Sequence, residues 1–252
     1  MHIARHSSGV GGAVRALASQ IHPVFMLPPV AASAFGAVLA GFSDPGLALL
    51  HVATAFVALY TAHVKDGYVD FYGRGEDDDH PLTVTGCRLA LVASTTLFFL
   101  GTVAIGLLVD PVAALLTLPG WLFGYLHAPH LDMNPVTATT GYPLGIGFAL
   151  LGGYYVQGQS LSATVLGFAV VFVAILSGIK IIDDSKDYDY DRSIDKRTVA
   201  VVLGRQRART AAFAVMLLGL VAAVGFVVVR AFPPSAVFAP LSFGVVAAFA
   251  AR

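Results

Sequence analysis

The amino-acid sequence predicts an all-α integral membrane protein, a bundle of about eight or nine transmembrane helices forming a single domain over residues 1–252. Three observations carry this. Of 252 residues, 57% are hydrophobic and only 12% charged, against about 25% charged in a soluble domain. Mean hydropathy is +0.78. The apolar residues also come in continuous runs. A membrane barrel would show strands of roughly ten residues alternating apolar and polar, so helices are the reading.

A bilayer-crossing helix takes about 20 mostly apolar residues. Eight stretches qualify: 23–42, 46–64, 89–109, 111–127, 141–157, 161–182, 208–230 and 234–250. The runs 89–109, 161–182 and 208–230 are the strongest, and 111–127 is short and interrupted by Pro119 and Gly120. The first 22 residues lack an apolar run long enough for a cleaved signal peptide and read as a soluble arm or interfacial helix. One cysteine, Cys87, excludes an intramolecular disulfide. The net charge is zero, which gives no pull toward nucleic acid.

Charge is placed unevenly. Lys and Arg gather in the N-terminal arm, the 65–88 and 183–207 connections and the C-terminal Arg252. By the positive-inside tendency these lie in the cytoplasm, with an even number of crossings and both termini on that side. Of 15 acidic residues, six lie between Asp66 and Asp79 and six between Asp183 and Asp195, leaving only Asp44, Asp110 and Asp132 elsewhere. Each acidic segment follows an even-numbered span. A shift of 117 residues superposes Asp66 on Asp183 and Asp70 on Asp187. This weak internal repeat suggests two similar helix–loop units facing one cavity.

Asp183, Asp187 and Asp191 are spaced i, i+4, i+8, which on one continuous helix makes a single carboxylate face. Like charges so placed repel and destabilise a bare helix. A divalent cation offsets that repulsion, and hard oxygen ligands select Mg²⁺ or Ca²⁺. Mg²⁺ takes one or two carboxylates and completes its shell with water and substrate phosphate oxygens. The candidate metal ligands and catalytic residues are therefore Asp66, Asp70, Asp183, Asp187 and Asp191. Arg74, Lys186, Lys196 and Arg197 are candidate donors to a diphosphate. At the foot of lipid-embedded helices, that diphosphate is expected to carry a hydrophobic tail. A non-catalytic or cation-transporting membrane protein is the alternative class. Transporter sites usually sit at the bilayer midplane, however, and these clusters lie at one face.

These residues bring the chain to a family it resembles, the UbiA superfamily of intramembrane prenyltransferases. That family carries an "NDxxDxxxD" motif after its second helix and "DxxxDxxxD" after its sixth. The second is intact here as Asp183, Asp187 and Asp191, and the following "DKRTVAVVLG" is similar to the family's "GKRTLAVRLG". The first falls in "KDGYVDFYGRGEDDDHPLT" and matches at Asp70. Asp66 stands where the family has Asn, Gly67 in place of its first Asp and Arg74 in place of its last. His22-Pro23 replaces an Arg-Pro, and "HAPHLDMNPVTATTG" lacks the basic residues the family often uses on diphosphate. The resemblance implies a helical bundle around a central cavity open to lipid. It further implies Mg²⁺-assisted ionisation of a prenyl diphosphate and capture of the allylic cation by a hydrophobic or aromatic acceptor. Segments such as "LGGYYVQGQSLS" resemble quinone-forming members, and archaeal-type ether-lipid enzymes are also compatible.

Overall fold

The structure is a computed structural model that describes residues 2–250 and the side chains of residues 2–244; Arg252 lies outside the described residues. The described chain forms eleven α-helices rather than eight or nine. They are α1 (Gly9–Ala18), α2 (Pro23–Leu39), α3 (Pro45–Tyr68), α4 (Val84–Leu108), α5 (Pro111–Leu126), α6 (Pro135–Gly158), α7 (Ala163–Asp184), α8 (Tyr188–Ser193), α9 (Val199–Leu203), α10 (Arg205–Val228) and α11 (Ala239–Ala250). The eight apolar stretches fall one each on α2 to α7, α10 and α11. The extra helices are the N-terminal α1 and the short α8 and α9, too polar or too brief to register as apolar runs.

Four helices are long and apolar enough to cross a membrane: α3 with its extension to Arg74, α4, α7 and α10; counting α1 and α2, bent by 67°, as one span makes five. Length leaves α5 out. At a rise of 1.5 Å per residue, the 16 residues of α5 reach about 24 Å, short of a hydrocarbon core of roughly 30 Å. The outward faces of α4 and α10 expose Leu97, Leu100, Leu107, Leu217, Leu218 and Val221, a surface that water does not favour and lipid does.

Helix starts explain two of the stray acids. Asp44 accepts from the Leu47 backbone N–H at 3.0 Å and Asp110 from that of Ala113 at 2.9 Å. Each is an N-cap followed by proline at the first helical position, where a missing N–H costs nothing. Thr83, Asn134 and Ser162 likewise accept from a backbone N–H as N-caps of α4, α6 and α7, and only α6 adds a proline at its start. Antiparallel succession then puts the ends of α3, α5 and α7 together, with the starts of α4 and α6. Both acidic segments share that end with Asp132. The N-terminal arm lies there too, with Arg5 and His6 on Asp79 at 3.1 and 2.8 Å.

The bundle is closed by α6, which packs on α2, α3, α5 and α7, while α10 packs on α7. The contact of α2 with α6 is the tightest. A Cβ added at Gly36 would lie 2.2 Å from the Leu150 carbonyl oxygen, and one at Gly153 would lie 2.1 Å from that of Ser33. The two backbones touch where both helices lack side chains, the usual means of close approach between helices in lipid. Gly153→Val is expected to destabilise the bundle by about 1–3 kcal/mol or more through overpacking. Gly225→Ala, whose added methyl meets nothing within 4 Å, should leave stability unchanged or slightly raised. Thermal unfolding of the two variants in detergent checks this.

Candidate active site

A cavity of about 980 Å³ runs between α2, α3, α5, α6 and α7. Most of its wall is apolar, with Phe25, Ala58, Leu116, Phe123, Phe148 and Leu176. One end is charged and carries Asp66, Asp70, Arg74, Asp132, Lys180, Asp183 and Lys196. The chain delivers the first group by prolonging α3 through a π-helical turn, Val69–Arg74. Such turns are rare and recur at functional sites because they re-aim side chains. This one ends at Gly75 in the left-handed region, φ 67°, with the Glu76 N–H donating to the Asp70 carbonyl at 2.8 Å. It swings Arg74 back toward the acids around it.

Arg74 Nη1 donates to Asp132 Oδ2 at 2.6 Å and lies 3.4 Å from Glu76 Oε1 and 3.6 Å from Asp70 Oδ1. The same Asp132 oxygen is 3.9 Å from Lys196 Nζ, which is 3.7 Å from Asp191 Oδ1. Asp132 is buried, as is Asp191, whose second oxygen accepts from Thr198 Oγ1 at 3.2 Å. A chain of alternating charge therefore runs from the first acidic segment, through the α5–α6 connection, to the second. Two polar atoms within it, Asp132 Oδ1 and Arg74 Nη2, are buried without a hydrogen-bond partner. Asp70 lies on the π-helical turn, beyond the apolar 46–64 part of α3. That end of the cavity is short of positive charge.

The second acidic segment is not one helical face. Helix α7 stops at Asp184, Ser185 and Lys186 turn, and α8 begins after Asp187. The turn separates three carboxylates that a continuous helix would align. Asp183 remains on the cavity wall, with Lys186 reaching it from solvent at 2.9 Å. Asp187 is exposed at the start of α8, and Asp191 turns inward to Thr198 and Lys196. Thus Asp66, Asp70, Asp183, Arg74 and Lys196 meet at the cavity, whereas Asp187, Asp191, Lys186 and Arg197 stand outside its lining. Arg197 is exposed. Asp132 and Lys180, outside the sequence candidates, also line it, as do Asp77 and Asp79. Lys180 pairs with the buried Asp184. Each had a signal: Asp132 is the one acid at this end outside the two segments, and Lys180 the one cation within apolar α7.

Histidines crowd the same region. His22 and His63 face each other at 3.3 Å between Nδ1 atoms, and both line the cavity with His127. His51 lies deeper, buried, and bonds Ser33 Oγ at 2.7 Å.

Removing one member of a buried ion pair strands the other. Asp132→Ala is expected to lower stability by about 3 kcal/mol. Asp132→Ala combined with Arg74→Met should recover part of that loss, because the stranded guanidinium goes too. Thermal unfolding of wild type, both single variants and the double variant reads the coupling.

Comparison with known proteins gives the site its family. The model of the UbiA prenyltransferase family matches residues 26–252. There is no match among curated protein sequences. Among solved structures, a UbiA homolog from Archaeoglobus fulgidus bound to Cd²⁺ superposes with a TM-score of 0.72 at 17% identity, over 94% of this chain and 87% of that one. The same homolog bound to GPP and Mg²⁺ gives 0.62 at 18% identity, and bound to DMAPP and Mg²⁺ gives 0.64 at 18%, each over 94% of this chain and 86% of that one. At these identities the likeness establishes a shared fold, and the family assignment rests on the sequence match across nearly the whole chain. The protein belongs to the UbiA prenyltransferase family.

Proposed function

We propose that the protein is a Mg²⁺-dependent intramembrane transferase. It moves the prenyl group of a prenyl diphosphate to a small hydrophobic acceptor, with an aromatic, quinone-type acceptor favoured. In this reading the chain is one membrane-embedded domain, and the charged end of the cavity faces the cytoplasm. The observation that carries the proposal is the cavity itself: an apolar chamber closed at one end by carboxylates and cations from three separate connections. A diphosphate with an oily tail has that shape and that division of polarity. The homolog's complexes with GPP, DMAPP and Mg²⁺ support it, as do the quinone-like "LGGYYVQGQSLS" segment and the Lys and Arg of the connections.

The donor set suits Mg²⁺. It consists of hard carboxylate oxygens, and Asp132 Oδ1 and Asp184 Oδ2 are buried without partners. No group of three or more His, Cys, Asp or Glu among the described residues forms a closed metal cage. Mg²⁺ needs none, since it keeps several waters and takes substrate phosphate oxygens alongside one or two carboxylates. Asp183 and Asp187 would hold it, and Asp66 and Asp70 line the same charged end. When bound, it neutralises charge on a departing diphosphate.

The protein's own groups do the rest. Lys180, Lys196 and Arg74 donate N–H bonds to phosphate oxygens. The bond between the allylic carbon and the bridging oxygen breaks, and its electron pair leaves with the diphosphate. Apolar walls keep water from the resulting cation. The rings of Phe25, Phe123, Tyr142 and Phe148 line the same chamber and offer negative π faces to it. The acceptor then bonds that carbon and gives up a proton.

Purified protein in detergent, given a radiolabelled prenyl diphosphate, a panel of aromatic and glycerol-based acceptors and Mg²⁺, should form an alkylated aromatic product. Chelation with EDTA should abolish turnover. Absence of any product across the panel would overturn the proposal. Asp183→Asn and Asp187→Asn should each lower kcat on the order of a hundredfold or more with little change in melting temperature. Near-normal turnover in either variant removes that residue from the site.

A further inference from the structure

The two acidic segments differ in what already neutralises them. We propose that Arg74 is a built-in cation standing where the first segment would otherwise take a divalent ion. The protein would then work with one Mg²⁺ per active site, held at the second segment. This rests on the prenyl-transfer reading above.

At the first segment the guanidinium is anchored. Its side chain is 16% exposed, and the carboxylates of Asp132, Glu76 and Asp70 that surround it are 4, 13 and 22% exposed. The 2.6 Å bond to Asp132 is a short charge-assisted contact between buried groups. A divalent ion at Asp70 would face a fixed positive charge 3.6 Å from the same oxygen, and like charges at that range repel strongly where water is scarce. Displacing Arg74 would break its buried pair with Asp132, which is costly.

Position 67 closes the other approach. A Cβ built on Gly67 would lie 2.8 Å from His80 Nε2. His80 is itself buried, with that nitrogen unpartnered. A ligating side chain at 67 would have to evict the imidazole. Of the first segment's cavity-lining carboxylates, Asp70 is held by Arg74 and Asp79 by Arg5 and His6, which leaves Asp66 and the exposed Asp77.

The second segment has the opposite character. Asp183 is paired only to Lys186, and the two side chains are 44 and 71% exposed. Exposed pairs of this kind are weak and yield readily. Asp187 is exposed and has no ion-pair partner among the described residues. These carboxylates can exchange a loose lysine, or water, for a metal.

The guanidinium keeps one more asset. Arg74 Nη2 is buried, lacks a hydrogen-bond partner and belongs to a cavity-lining residue. One side chain can therefore neutralise the first segment through Nη1 and donate to a phosphate oxygen through Nη2.

The test counts ions. Protein in detergent with inorganic pyrophosphate is titrated with Mn²⁺, and bound ions are read by electron paramagnetic resonance and calorimetry. The wild type should bind one per chain with a Hill coefficient near one. Arg74→Gln, which leaves Asp70 and Glu76 without their cation, should bind two; Arg74→Lys, which keeps a charge and folds more readily, should bind one. Asp183→Asn combined with Asp187→Asn should bind none. Two ions in the wild type, or one ion retained in the double Asn variant, overturns the inference while leaving prenyl transfer standing. No ion in the wild type overturns both. One ion in the wild type without prenyl transfer overturns the function alone.

Discussion

The buried carboxylate of Asp132 sets the architecture of the charged end. Its Oδ2 takes Arg74 from the first acidic segment and attracts Lys196 from beyond the second. A buried carboxylate without partners would protonate or drag in water. With two cations it becomes a pin between three connections that are far apart in sequence. It also gives Arg74 a fixed position, and much of the chemistry follows from where that guanidinium stands.

The pin works because the bundle beneath it is rigid. The reciprocal contact of Gly36 and Gly153 brings α2 against α6 with backbone touching backbone. Helix α6 then reaches α3, α5 and α7 as well. Close packing on one side leaves room on the other, and the cavity occupies it. A bundle of uniformly bulky helices would either fill that space or let it collapse. Small residues on one interface and aromatic residues around the chamber are two halves of one arrangement.

Much of the fold was legible before any coordinates. Continuous apolar runs cannot satisfy their backbone in lipid except as helices, so each of the eight runs falls on a helix. The N-caps at Asp44 and Asp110, each followed by proline, emerged only from the structure. The short helices α8 and α9 were not legible, since five or six residues hold no periodicity. Spacing misled at Asp183, Asp187 and Asp191, where i, i+4, i+8 suggested one face. The chain turns at Ser185 and Lys186, a break that the pattern of acids does not reveal.

The site divides the same way. Residue type and spacing within the chain were enough to single out Asp66, Asp70, Arg74, Asp183 and Lys196, all of which meet at the cavity. They were also enough for the family resemblance, because paired acidic motifs at the foot of apolar helices are local patterns. Asp132 stood alone in a loop without cations, and nothing nearby in sequence explained it. Its partners arrive from 58 residues before and 64 after, and Coulomb attraction acts through space whatever the distance along the chain. The replacement of a carboxylate by glycine at 67 likewise looked like a lost ligand. Only the packed structure shows His80 in that space, because which side chain fills a gap is decided by the helices and loops around it.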